Sequence, residues 1–176
     1  LELFDFNNVG IPVNEEYHYP GNDFIDNISG AQCFFHRHES KEIGLTQHFH
    51  FFRKWTPKVE EFNNHEVTTH IAALEISDDF QPISWFTVNQ WVTGDYLCLT
   101  NDFKFLIEHY NFNNITTKHN DKLLLWLEGI FLEGKKKYFN DLFTLRNKNL
   151  EELFESKTQN ILKNHEYEIL SQINLK

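Results

Sequence analysis

FFHRHESKEIGLTQHFHFF, residues 34–52, holds four of the chain's ten histidines in two His-x-His pairs, His36/His38 and His48/His50. Side chains on a β-strand alternate between faces, so residues i and i+2 share one. Read as two strands joined by a long polar hairpin loop, the stretch puts all four imidazoles on one face. Phe35, Phe49 and Phe51 then point to the other. Directly opposed Cβ atoms on paired strands lie about 5 Å apart, close enough for the histidines to act together. The pattern separates a polar, His-bearing surface from an apolar core.

Working outward, strand and turn signals fill residues 1 to about 100. Pro20–Gly21 in YHYPGNDF is a strong turn pair. A polar break at Asn27–Gly30 leads into a strand over Ala31–His38, followed by one over Gln47–Lys54. TTHIAALEIS, Thr68–Ser77, is a third strand and SDDFQP a turn. ISWFTVNQWVT, Ile83–Thr93, is rich in β-branched and aromatic residues and reads as a fourth. Consecutive strands without helical patterns between them favour antiparallel pairing.

From Asn101 the pattern turns helical. NDFKFLIEHY opens on an Asn/Asp cap candidate, and Asn120–Asp121 opens DKLLLWLEGIFLEGKKKYFNDLF, which Gly129 and Gly134 would interrupt. LEELFESKTQNILKN, Leu150–Asn164, is a further amphipathic helix, and YEILSQINL a closing strand or tail. The expected fold class is α+β: an antiparallel sheet in the N-terminal half followed by a helical C-terminal half. Residues 1–176 are expected to form a single domain.

Bulk composition narrows function by exclusion. The net charge is −10, with Lys and Arg scattered apart from Lys135–Lys137. Nucleic-acid binders carry a basic stripe, and this sequence has none. The same charge disfavours an anionic membrane surface, and the longest apolar stretch, Leu123–Leu132, is broken by Glu128 and too short to span a bilayer. Two distant cysteines, Cys33 and Cys98, do not make a disulfide framework. The expectation is a soluble, cytoplasmic protein. With 18 Phe, an exposed apolar patch and hence a homodimer fit the composition.

Imidazole is a common ligand for divalent transition metals, and a carboxylate often completes the set. His36, His38, His48 and His50 are therefore the candidate ligands of a divalent metal (Zn, Fe, Ni or Mn). Glu42 in the connecting loop is the nearest carboxylate, with Glu39 second. The spacing Gly30-x5-His36-x-His38-x3-Glu42 is similar to the first half of the cupin metal motif, although Phe49 stands where its next glycine belongs and the second motif is absent. His70 could reach the same face from the next strand as a further ligand or orienting group. Asn89, Trp91 and Asp95 alternate along the fourth strand and form a candidate pocket wall, against the simpler reading that Trp91 is core and Asp95 shapes a turn. No phosphate loop and no nucleophile motif is present.

The order of motifs YPGNDFID, SGAQCFFHRH, HFHFF and NQWVTGD resembles a bacterial family of unknown function whose members share YPxGDxxD, (S/T)GAQ-aromatics-HxH, HFHxF and NxWVTG(D/E). The matching positions are Tyr19, Pro20, Gly21 and Asp23; Gly30, Ala31, Gln32, His36 and His38; His48, Phe49 and His50; and Asn89, Trp91, Val92, Thr93 and Gly94. Gln47 and Gln90 depart from the family pattern. The resemblance implies that the His pairs and the NxWVTGD segment belong to one module, and it supplies no reaction. Three functional readings follow from the residues: a metal-dependent or His acid/base enzyme acting on a small-molecule ligand, a non-catalytic accessory protein docking a partner, and a sheet whose histidines are purely structural.

Overall fold

The computed structural model describes residues 17–40, 44–58, 65–98, 100–115, 121–155 and 160–175. Six strands form one antiparallel sheet in the order β1-β2-β3-β4-β5-β6: Tyr17–Ile25, Ala31–Ser40, Gly44–Trp55, Val67–Ile76, Pro82–Val88 and Ile169–Asn174. The first five follow one another directly. The connection from β5 to β6 carries the helices α1 (Gln90–Thr93), α2 (Thr100–Glu108), α3 (Asp121–Lys137) and α4 (Phe139–Glu155). The α+β class and the sheet-then-helix order expected from the sequence are both present, and the closing segment is a strand. A single sheet with nearest-neighbour order is not the two-sheet jelly roll of cupins.

Side chains alternate between faces throughout β2 and β3. Phe35, Phe49 and Phe51 are fully buried beneath the helices, where Phe51 meets Phe131 at 5.3 Å between ring centroids and Phe49 meets Trp126 at 5.9 Å. Trp85 on β5 packs edge-on to Phe139 at the start of α4. This side of the sheet is the aromatic core. The other side is only partly covered, by α1 and by the segment just before β6.

Several local expectations are corrected. Pro20–Gly21 lies inside β1, where the pairing with β2 shifts between Tyr19 and Phe24, so the turn residues make an irregularity in a strand and not its end. The β2–β3 ladder runs out to Ser40 opposite Gly44, which replaces the long hairpin loop by a short one. β5 stops at Val88; the Asn89 side chain accepts the Gln90 N–H and Gly94 closes the next turn in the left-handed region, so residues 90–93 are helical. Gly129 and Gly134 sit inside an unbroken α3, and the chain breaks afterwards at Tyr138. Leu150–Glu155 closes α4, and Ile161–Lys163 is a separate 3-10 turn.

Candidate metal centre

The antiparallel register builds the site. His36 on β2 stands opposite His48 on β3, and the row continues across the sheet as His18–His36–His48–Glu75–Ser84. The next row on the same face is Phe34–His50–Ala73–Phe86–Gln172. His50 is thus the diagonal neighbour of His36 and the i+2 neighbour of His48. One ring nitrogen from each of His36, His48 and His50 lies within 4.8 Å of the other two. His48 and His50 are buried, and His36 is partly exposed. Ala73, beside His50 in its row, adds no bulk beneath the cluster.

Two of the expected ligands, His38 and Glu42, have side chains outside the described residues. His38 lies in β2 opposite Thr46, two residues beyond the His36–His48 pair. His70 stands opposite Phe52, and its Nε2 lies 3.0 Å from His50 Nδ1. Burial, with the nearby Arg146 charge adding to it, pushes the His70 imidazole down to about 3. It is neutral at physiological pH and acts on His50 as a hydrogen-bonding neighbour.

Two further residues face the cluster, Glu75, which the sequence pattern did not single out, and His18, which it offered only as part of the YHYPGND stretch. Glu75 stands opposite His48, where its Oε2 accepts from Ser84 Oγ at 2.6 Å and from Gln172 Nε2 at 3.3 Å. Simple alternation sends His70 and Glu75 to opposite faces, because they are five residues apart. The β3–β4 pairing slips between Phe51 and Phe52, however, so that Phe51 faces Ala72 while Phe52 faces His70. That bulge restores both to the His-bearing face. His18 is the other, opposite His36 on β1, with its Nδ1 2.9 Å from the Pro20 carbonyl oxygen and its Nε2 3.4 Å from Asp23 Oδ1.

The cluster lies in an open pocket of about 1180 Å³. Phe34, Phe52, Phe86, Val88 and Val92 supply its apolar lining. Of the expected wall residues, Asp95 lines the pocket, and burial raises its carboxyl against the lowering effect of a Thr93 hydrogen bond. Asn89 and Trp91 serve from behind. Asn89 Nδ2 donates to the carbonyls of Ile161 and Tyr167, and Trp91 Nε1 donates to Tyr167 and stacks on His165 at 4.2 Å. They pin the segment before β6, which forms the far wall. Burial pushes both thiols up, Cys33 well above its usual range and Cys98 to about 12, so neither is a ready nucleophile.

Zn–N bonds near 2.1 Å in a tetrahedron put ligand nitrogens about 3.4 Å apart. Three imidazoles this close to one another are compatible with a bound metal ion.

A family model for a domain of unknown function, DUF6969, matches residues 8–175, and the chain belongs to that family. No curated protein and no solved structure matches it. Among the described residues no helix is long and apolar enough to cross a membrane.

Proposed function

We propose that this member of the DUF6969 family binds a divalent transition metal through His36, His48 and His50 and uses it on a small molecule that enters the pocket. The observation that carries this reading is the convergence of three imidazole nitrogens within 4.8 Å on the floor of an open pocket. A structural role for the histidines would not require the pocket to open onto them. A bound metal of this kind activates water or polarises a carbonyl.

The surrounding residues take complementary parts. If His50 offers Nε2 to the metal, its Nδ1 carries the proton and donates to His70 Nε2. His70, neutral, then fixes the tautomer and the ring plane of His50, as outer-shell partners of metal-bound histidines do. Glu75 is the carboxylate that the described residues bring beside the cluster: both of its hydrogen bonds fall on Oε2, and Oε1 accepts none among the described residues. With a metal held by the three histidines, that oxygen would be available as a hydrogen-bond acceptor or general base toward a ligand in the pocket.

Zinc titration of chelator-stripped protein followed by calorimetry tests the assignment. One equivalent should bind to the wild type, with binding abolished in His48→Gln and weakened about 10–100-fold in His70→Asn. Circular dichroism keeps loss of fold apart from loss of ligand. Equal zinc affinity in folded wild type and His48→Gln would reject the site.

A further inference from the structure

We propose that the pocket selects a cationic small molecule, an amine whose apolar body lies on the aromatic lining and whose ammonium group faces the pocket carboxylates. The proposal rests on the pocket assigned above as the substrate site, and it does not require the metal to be present.

Glu75, Asp95, Glu166 and Glu168 line the pocket, and no Lys or Arg does among the described lining residues. The buried arginines are engaged elsewhere: Arg37 with the Gln47 side chain, Arg53 with the carbonyls of Phe105 and Leu106, Arg146 with the carbonyl of Cys98. In the metal-free protein a phosphate or carboxylate ligand would find no guanidinium or ammonium among the described lining residues to receive it. Instead it would meet the like charge of the lining carboxylates. Asp95 has no ion pair among the described residues, and a ligand cation would relieve its desolvation.

The lining supplies the rest. Phe34 stacks on Phe52 at 5.4 Å and on His18 at 4.4 Å, and it abuts His50 at 5.1 Å. An apolar strip thus runs directly up to the histidine cluster. Glu166 and Glu168 stand on the far wall, on backbone held by Asn89 and Trp91: Asn89 N–H donates to the Glu168 carbonyl at 2.8 Å, and both side chains donate to Tyr167. The pocket therefore pairs an apolar strip beside the histidines with a wall that carries Glu166 and Glu168 on anchored backbone. A ligand with one apolar and one cationic end matches both.

Three probes with one phenyl body separate the charge classes: 2-phenylethylamine, 2-phenylethanol and 3-phenylpropionate, titrated into nitrogen-15-labelled full chain by NMR. In chelator-stripped protein the amine should bind about tenfold tighter than the carboxylate, a difference of about 1.4 kcal/mol. Its shifts should map to Phe34, Phe52 and Asp95. The Asp95→Asn/Glu166→Gln/Glu168→Gln variant should lose most of that preference while still binding 2-phenylethanol. A carboxylate that binds the stripped protein as tightly as the amine, or no binding by any probe at millimolar concentration, overturns the proposal. Because the stripped protein carries the test, failure of zinc binding would overturn the metal reading alone.

Discussion

At the scale of single residues, His50 shows how one register position acquires a second layer. Its neighbours in the cluster are set by the β2–β3 pairing, while its partner His70 comes from β4 across a bulge. His36, His48 and His50 were legible as a group because two His-x-His pairs flank a hairpin. The membership of Glu75 was not, because a slip of one residue in β4 reverses the parity of everything after it. Asp26 is a residue-scale device of another kind. It is fully buried, and its carboxylate accepts from the backbone N–H groups of Ile28, Ser29 and Asn114, tying the β1–β2 turn to the segment after α2. Burial alone would raise its pKa, but these backbone bonds outweigh it and the net shift is downward. A lowered folded-state pKa means stability that is present above the unfolded value near 3.8 and lost as pH falls through the folded value. Asp26→Ala should therefore cost about 2 kcal/mol at pH 7, from donors left unsatisfied. The gap to wild type should narrow below pH 4 in denaturant titrations; a gap independent of pH would contradict the charged assignment.

At the scale of elements, the segment Asn89–Gly94 is the clearest case of a signal present but outvoted. β-branched and aromatic residues suggested a strand through Thr93. An N-capping Asn followed five residues later by a left-handed Gly is a helix-turn signature, and it prevails once β5 has reached the end of its pairing with β6. The consequence is functional: Trp91 turns away from the pocket to hold His165 and Tyr167. Gly134 presents the opposite case, a glycine that looks like a helix breaker and is a packing contact. A Cβ there would meet the Phe139 ring at 2.8 Å and Trp85 at 2.9 Å. Gly134→Ala gains about 1 kcal/mol of helix propensity. Against this, forcing two buried rings apart costs about 1–3 kcal/mol. The substitution should lower the thermal midpoint, whereas the same change at Gly129, where a Cβ meets nothing within 4 Å, should raise it. A rise at both positions would show that the core repacks freely around Gly134.

At the scale of the whole molecule, the sheet divides the chain's aromatic residues into two uses. One face is closed by the helices and holds Phe35, Phe49, Phe51, Trp85, Phe131 and Phe139. The other carries Phe34, Phe52 and Phe86 beside the histidines and stays open. The α+β order was readable from the change of pattern near residue 100. The pocket was not, since its far wall is the segment just before β6, brought back by the 80-residue excursion from β5 and held by side chains whose partners lie more than 70 positions away. Local periodicity carries no information about such a return.

On the reading proposed above, three imidazoles on this open face hold a metal ion. Elemental analysis by inductively coupled plasma mass spectrometry on tag-free protein, beside a folded His36→Ala/His48→Ala variant, tests it most directly. The account predicts close to one equivalent of Zn, Fe, Ni or Mn in the wild type, as purified or after reconstitution, and none in the variant. Metal absent from both after reconstitution, or retained equally by both, would contradict it.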